Sequence, residues 1–328
     1  MADGKSITMK DVAREAGVAL GTVSKVVNGI PVGKSYQRRV EDAIERLGYH
    51  VNRQARALRS NKSNIVEVIL PNLHNPFFAG LADGIGRELS RRAHQMLLFL
   101  TKSNPALEQS YMLMSEQQMV SGIICLTYNP RLRIPKGIPT VSIDRNLGPG
   151  ISCIASDNYG GGCLAAQKLI ENGCTRLAFL RAGSGLPDET DKRGDGFMRA
   201  CADAGLPCRC ECVDGDGSHP GLEDFLRAHL REGGLAFDGL FCATDQLAHR
   251  VRGALGRMGL RVPEDVQIVG YDGAQFFGDQ EFCCSTIVQP VEEMARLCVE
   301  NVLQPASQRI PCLLQLPVHY AYGGTTRH

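Results

Sequence analysis

Hydrophobic residues in the first 50 positions recur at helical spacing and predict three short helices. The first covers about residues 9–16 and the third about 35–47, and the second is indicated by the apolar pattern Val18, Thr22, Val23, Val26 and Val27, which ends at Asn28-Gly29. The first begins at Thr8 and Asp11, which form a capping-box pattern, and ends at Gly17, a natural helix stop. Only about three residues separate the first two helices. This spacing predicts a helix-turn-helix, in which the second helix enters the DNA major groove with its N-terminal residues on base edges.

Downstream of Ile65, short apolar runs alternate with helical patterns. The runs are NIVEVIL, QMLLFLT, GIICL, IPTVSI, RLAFLRAG, DGLFCA and VQIVGY, and the helical patterns cover about 79–93, 106–119, 192–204 and 245–258. This alternation predicts an α/β fold with parallel sheets and ligands bound at the carboxyl ends of the strands. One series before Asn158 and one after it predict two subdomains with a cleft between them. No GxGxxG follows the first strand, and no GxxxxGK[ST] occurs, so the common nucleotide motifs are excluded.

Charge is distributed unevenly along the chain. The net charge of the 328 residues is +1, but residues 1–62 carry 12 Lys and Arg against 6 Asp and Glu, which leaves the remainder at −5. A basic head on a slightly acidic body predicts a polyanionic partner for the head alone. The first residues contain acids and no apolar segment, and no apolar run reaches the length of a membrane span. We therefore expect a cytoplasmic protein without membrane contact.

Thirteen cysteines begin at Cys125, and none form a CxxC pair, which argues against a disulfide framework. Cys208, Cys210 and Cys212 alternate as in a strand, near His219. We interpret them as a buried strand face, with a metal site as the alternative. No resident metal or cofactor is expected.

The segment TMKDVAREAGVALGTVSKVVNG resembles the DNA-binding headpiece of the lactose-repressor/galactose-repressor family. The resemblance implies that Leu20, Gly21 and Lys25 face base edges, while Thr22, Ser24 and Asn28 hold phosphates. The sequence departs from the family at Ala19, where Ser is usual, and at Lys25, where Arg is commoner. Because lysine is a point charge rather than a planar fork, a bidentate guanine contact is in doubt there.

The next segment, VNRQARALRSNKSN, has too few apolar residues to pack alone and resembles the hinge of the same family. That resemblance implies a short helix that pushes Leu58 between base pairs of the minor groove, with Arg56 and Arg59 on the DNA beside it. The alternative is a linker leucine that rests on the core.

Motifs at the strand ends resemble the sugar-binding core that this family shares with the periplasmic ribose-binding protein. They are LPNLHNPFFAGLADGI, SIDRN, IASDN, DKRGDGF, ATDQLA, GYDG and STIVQPV. The resemblance implies that Phe77 and Phe78 stack on a sugar ring. It implies further that hydroxyl contacts come from Asn75, Asp144, Arg145, Arg193, Asp272 and Gln289, and from Thr244 where the group usually has Asn. Alternatively, the phenylalanines belong to the core and the charged residues form structural ion pairs.

These patterns predict three segments: a headpiece over 1–50, a hinge over 51–61 and a ligand-binding core over 62–328. Within the core, one subdomain takes about 62–158 plus 290–320 and the other about 159–289 plus 321–328. The expected function is that of a repressor whose operator binding is switched by a small sugar. We expect a homodimer or a tetramer and no catalytic residue. The alternatives are a solute-binding protein, which the headpiece disfavours, and a sugar-transforming enzyme, which needs an acid/base pair or a metal.

Overall fold

The computed structural model describes residues 7–27, 30–49, 63–118, 120–129, 131–182, 190–213, 220–232, 234–275, 281–305 and 307–327. The chain forms two compact units, Met1–Ser63 and Asn64–His328, here called the headpiece and the core. The predicted hinge over 51–61 lies outside the described residues. So do four residues that were predicted to contact DNA, namely Asn28, Arg56, Leu58 and Arg59.

Three helices form the headpiece: α1 (Met9–Ala16), α2 (Leu20–Val27) and α3 (Lys34–Leu47). They confirm the three predicted helices to within about two residues. The Asp11 carboxylate accepts a hydrogen bond from the Thr8 backbone N–H at 3.0 Å, as the capping-box pattern predicted. Val12, Val23 and Val40, one from each helix, are fully buried in a shared cluster. That cluster fixes which face of α2 remains exposed.

The core alternates strands and helices along the chain. In chain order it contains β1 (Ile65–Leu70), α4 (Pro76–Arg91), β2 (Gln95–Leu100), α5 (Pro105–Gln118), β3 (Gly122–Cys125), β4 (Thr140–Ile143), β5 (Ser152–Ser156), α6 (Asn158–Glu171), β6 (Leu177–Ala182), α7 (Asp191–Asp203), β7 (Cys208–Val213), α8 (Leu222–Ala228), β8 (Leu230–Arg231), β9 (Gly234–Leu235), β10 (Gly239–Cys242), α9 (Asp245–Arg257), β11 (Gln267–Asp272), β12 (Thr286–Val288), α10 (Val291–Leu303), β13 (Leu313–Leu316) and β14 (His319–Ala321). The predicted α/β class is confirmed.

Two six-stranded sheets define two lobes of the core. The first lobe has the strand order β13-β5-β4-β3-β1-β2, with every neighbouring pair parallel. The second has the order β14-β12-β11-β10-β6-β7 and is parallel except for β14, which runs antiparallel to β12. Apolar clusters bury both faces of each sheet. Because parallel strands point the same way, each sheet collects its carboxyl ends along one edge.

The chain passes between the lobes three times, after β5, after β12 and after β13. The middle passage includes Gln289, and α10 then packs on α4 in the first lobe, where Ala295 and Met294 are buried. The last passage precedes His319, which pairs with Val288 in the second sheet. The sequence-based boundary at 320 therefore falls inside β14.

The sequence analysis did not predict helix α6, because its segment NYGGGC has low helical propensity. The glycines are explained by packing: a Cβ at Gly162 would collide with the Arg193 carbonyl oxygen, and one at Gly196 would collide with that of Tyr159. Helices α6 and α7 therefore approach each other more closely than larger residues allow. No helix among the described residues is both long and apolar enough to cross a membrane.

The interpretation of Cys208, Cys210 and Cys212 as a buried strand face is wrong. Strand β7 lies at the edge of its sheet, so Cys210 is exposed and the other two are only half-buried. Within the described part of the chain, no group of three metal-binding side chains comes together. His219 lies outside that part.

Candidate functional site

A cavity of about 490 Å³ opens in the core where the carboxyl ends of strands from both sheets meet. From the first lobe it is lined by Asn75, Phe77, Phe78, Ser103, Pro105, Leu126, Thr127, Tyr128, Ile143 and Asp144. From the second it is lined by Phe179, Arg181, Ala182, Thr190, Asp191, Arg193, Ala243, Thr244 and Asp272. This volume falls in the range of small-molecule sites, about 300–1,000 Å³.

Arg193 is a buried polar group of the cavity wall that several contacts hold in place. It is 3% exposed, its Nε donates to Asn158 Oδ1 at 2.7 Å, and its Nη1 donates to the Ala243 carbonyl at 2.6 Å. The guanidinium carbon lies 3.6 Å from the centroid of the Tyr271 ring. This cation–π contact and the two hydrogen bonds hold the guanidinium in one orientation toward the cavity.

Asp272 lies at the end of β11, with Oδ1 at 3.9 Å from Arg193 Nη1. The same oxygen accepts a hydrogen bond of 2.8 Å from Gln289 Nε2. Its other oxygen, Oδ2, is buried and has no hydrogen-bond partner among the described residues. Burial raises the pKa of Asp272 to about 8, although the Arg193 guanidinium opposes the shift. The cavity wall therefore contains a buried carboxyl oxygen without a hydrogen-bond partner among the described residues.

Gln289 joins Asp272 to the first lobe. Its Oε1 accepts a hydrogen bond of 2.6 Å from Ser156 Oγ at the end of β5. Two of the three passages between the lobes thus meet in one buried chain, Ser156–Gln289–Asp272. Gln289 supports the cavity from behind and does not line it, which differs from the expected direct contact with a sugar.

The backbone at two of the cavity carboxylates is strained. Asp144, after β4, has φ 52°, and Asp272 has φ 126°. Non-glycine residues adopt such angles at a cost of about 1–3 kcal/mol each, and they persist where the surrounding structure fixes them. Both side chains are buried and line the cavity. The strain therefore coincides with the site.

Phe77 and Phe78 form the apolar side of the cavity at the start of α4. Their ring centroids are 5.7 Å apart with an interplanar angle of 55°, and both rings also belong to the buried cluster of the first lobe. Asn75 caps this helix by accepting from the Phe77 N–H at 2.9 Å. Thr244 caps α9 in the same way, accepting from the Leu247 N–H at 3.2 Å. Both capping bonds use the side-chain oxygen as an acceptor, so the Asn75 amide N–H groups and the Thr244 hydroxyl are still able to donate to a ligand.

Of the nine ligand-binding residues predicted from the sequence, seven line this one cavity, and Arg145 and Gln289 do not. Sequence reasoning missed Arg181, the residue before the last of β6, and Asp191, the first residue of α7, whose Oδ1 accepts a hydrogen bond from Arg181 Nη1. Arg181 stands two residues after the cavity residue Phe179, so strand alternation was the available signal.

Asp245 was also missed, because it does not line the cavity. This buried carboxylate accepts hydrogen bonds from the backbone N–H groups of Gly273 at 2.9 Å and Ala274 at 2.6 Å, and from Thr286 Oγ1 at 2.7 Å. Burial raises its pKa to about 6. Asp245 thereby fixes the turn that follows Asp272.

Helix α2 exposes the residues that the sequence placed against bases. Leu20 is 40% exposed, and Gly21 and Lys25 are also exposed, whereas Thr22 and Ser24 are half-buried. A Cβ at Gly21 would meet no atom within 4 Å, so packing within the headpiece does not require glycine there. The face opposite Val23 is therefore available for another molecule.

Comparison with known proteins follows the same division into two units. The family model described as "Bacterial regulatory proteins, lacI family" matches residues 8–52, and a "Periplasmic binding protein-like domain" matches residues 166–326. The chain is 32% identical to the ribose operon repressor of Bacillus subtilis, over 98% of each chain.

Two solved structures have the same fold. One is a complex of the transcriptional regulator CelR with cellobiose, which is 28% identical with a TM-score of 0.65 and covers 97% of this chain and 99% of that one. The other is a Lac repressor dimer bound to operator and the anti-inducer ONPF, which is 23% identical with a TM-score of 0.82 and covers 99% and 100%.

Proposed function

The chain belongs to the lacI family of bacterial regulatory proteins, and we propose that it is a cytoplasmic repressor whose operator binding is switched by a small sugar held in the core cavity. The full-length similarity to a ribose operon repressor and the CelR–cellobiose complex support a sugar as the effector. The protein acts as a homodimer, since paired headpieces match the two half-sites of an operator.

One observation carries the proposal: Arg193 and Asp272 lie side by side in a cavity whose opposite wall contains Phe77 and Phe78. A sugar presents dense hydroxyl groups above patches of C–H. The unpartnered Oδ2 of Asp272 hydrogen-bonds to a hydroxyl, the guanidinium donates to one, and aromatic faces pack against the C–H patches. Asn75, Asp144 and Thr244 complete the ligand-binding set, with Arg145 and Gln289 acting through their neighbours.

In the headpiece, we assign base contacts to Leu20, Gly21 and Lys25, and phosphate contacts to Thr22, Ser24 and Asn28. Arg56, Leu58 and Arg59 of the hinge bind the minor groove. Exposure of the α2 residues supports this assignment for the helix, and the hinge assignment rests on its sequence.

We assign the protein no catalytic role. Its cavity carboxylates serve as hydrogen-bond partners, and the regulators it resembles act by binding DNA. Incubating the protein with candidate sugars and assaying for products tests this assignment, because any turnover of a sugar contradicts it.

The experiment that tests the proposal compares operator binding, by fluorescence anisotropy, with and without a panel of pentoses and hexoses. In Arg193→Ala, a charged hydrogen bond to the ligand is lost, which lowers sugar affinity by about ten- to a hundred-fold. The matched control is Arg199→Ala, at an exposed position on the same helix. Wild-type sugar affinity in Arg193→Ala contradicts the proposed site, and operator affinity without sugar reports whether each variant is folded.

A further inference from the structure

We infer that Asp245 is a positioning residue for sugar binding, because it fixes two residues of the cavity wall, Asp272 and Thr244, without lining the cavity itself. This inference rests on the proposed function, since it concerns how the same cavity holds its polar groups. Asp245 belongs to the motif ATDQLA, but the sequence assigned it no role.

The Asp245 carboxylate holds the backbone that follows Asp272. Its Oδ2 accepts hydrogen bonds from the N–H groups of Gly273 at 2.9 Å and Ala274 at 2.6 Å. These two residues come directly after Asp272, whose φ is 126°. A non-glycine residue keeps such an angle only where the surrounding structure fixes it. The two hydrogen bonds therefore hold the Asp272 backbone, and with it the direction of the carboxyl group at the cavity wall.

The other oxygen of Asp245 ties this turn to the next strand of the sheet. Oδ1 accepts hydrogen bonds from Thr286 Oγ1 at 2.7 Å and from Cys284 Sγ at 3.3 Å, and Thr286 is the first residue of β12. A Cβ at Gly270 would lie 2.1 Å from Oδ1, so glycine there leaves room for the carboxylate. Asp245 is 3% exposed, and both of its oxygens are occupied by protein donors. The carboxylate is therefore used entirely within the protein.

Asp245 also reaches the cavity through its own helix. It is the first residue of α9 and directly follows Thr244, which lines the cavity and caps the helix. Strands β10 and β11 are parallel neighbours, and the chain enters α9 just after β10, whereas Asp272 ends β11. One side chain thus connects the two strand ends and sets the spacing between Thr244 and Asp272. A sugar that contacts both residues depends on that spacing.

A second carboxylate in the same lobe makes a similar set of contacts away from the cavity. Asp238 Oδ1 accepts from the N–H groups of Thr175 at 3.0 Å and Arg176 at 2.8 Å, and its Oδ2 accepts from Thr175 Oγ1 at 3.0 Å. Arg176 Nε also lies 3.5 Å from Oδ2. Asp238 precedes β10 and therefore lies at the amino edge of the sheet, opposite the edge that forms the cavity. It provides a matched control for the loss of two backbone contacts and one hydroxyl contact.

The test uses the full-length protein with D-ribose, D-glucose, sucrose and cellobiose as probes. Calorimetry gives the dissociation constant of each sugar that binds, and urea titration gives the stability of each variant. Asp245→Ala is expected to weaken sugar binding at least about tenfold, which corresponds to the loss of one hydrogen bond to the ligand. Asp238→Ala is also expected to lose stability, but to change sugar affinity by less than about twofold, because distant sites act independently.

The conservative variant Asp245→Asn separates positioning from a general loss of structure. Its amide oxygen is able to accept from Gly273 and Ala274, and its NH2 group is able to donate to Thr286 Oγ1. We therefore expect its sugar affinity to return to within about threefold of wild type. Operator affinity without sugar should stay at the wild-type level in all three variants, because the headpiece is a separate unit.

Two results overturn the inference: equal changes of sugar affinity in Asp245→Ala and Asp238→Ala, or sugar binding in Asp245→Asn as weak as in Asp245→Ala. Each leaves the sugar-switched function standing. If Asp245→Ala does not fold, Thr286→Val replaces it, since it removes only the hydroxyl contact, and we expect about two- to tenfold weaker sugar binding. Unchanged binding in Thr286→Val also overturns the inference. Binding of none of the four sugars by wild type contradicts the proposed function, and the inference falls with it.

Discussion

Asp272→Asn is expected to stabilise the folded protein near neutral pH while removing its response to sugar. Burial raises the pKa of Asp272 from an ordinary 3.8 to about 8. At pH 7 the folded state therefore holds a proton that the unfolded state has released. One bound proton changes the free energy of unfolding by about 1.4 kcal/mol per pH unit. Between pH 3.8 and pH 7 the raised pKa of Asp272 therefore lowers the free energy of unfolding by about 4 kcal/mol. Asparagine avoids this cost but buries an amide, and we expect a net gain of about 2 kcal/mol.

The pH dependence gives the sign of this prediction. Because the pKa is higher in the folded state, the contribution of Asp272 to stability is largest below about pH 4, falls as the pH rises, and levels off above about pH 8. The advantage of Asp272→Asn is therefore present at pH 7 and absent near pH 4. Urea titrations at both values measure it, with exposed Asp195→Asn as the control that should change little at either pH. A variant that is less stable than wild type at pH 7, by more than at pH 4, would refute the reasoning, because the charged carboxylate would then be the stabilising form.

Two further predictions concern DNA binding. Operator affinity should fall steeply with salt, and Lys25→Ala should lower sequence discrimination, because Lys25 is assigned to a base edge. A variant that keeps its discrimination and only loses about one unit of the slope of log K against log[salt] would contradict this assignment, because Lys25 would then contact a phosphate. Leu58→Ala should weaken operator binding and also reduce the effect of sugar on it, because the minor-groove wedge is lost while the cavity remains intact. Operator titrations with and without sugar measure both effects. A variant that binds and switches like wild type means that the hinge is only a tether.

The headpiece was predictable because its signals are local. Thr8 and Asp11 stand three residues apart, Gly17 ends the helix with φ 60°, and the buried valines recur at helical spacing. Seven residues of the cavity wall were also predictable, because they follow apolar runs that end at the same edge of a parallel sheet.

What could not be predicted depends on contacts between distant segments. Helix α6 was missed because its glycines suggest a loop until α7 is packed against it. The Arg181–Asp191 pair joins a strand end to a helix start; Asp191 opens the motif DKRGDGF, but nothing in that motif indicates that its carboxylate pairs with Arg181. Cys210 was misinterpreted because alternation places three cysteines on one face but does not reveal that β7 is an edge strand.

The unfavourable features of the cavity share one physical consequence. Two strained carboxylate residues, a buried oxygen without a donor and a raised pKa all make the unliganded site costly, and Gln289 connects that site to Ser156 in the other lobe. A ligand that hydrogen-bonds to this buried oxygen relieves part of the cost only in an arrangement of the lobes in which it contacts Asp272 and the opposite wall together. Its binding free energy then differs between two arrangements of the lobes, which is the condition for shifting a two-state equilibrium. A ratio that moves from 1:99 to 99:1 needs about 5.5 kcal/mol of such difference.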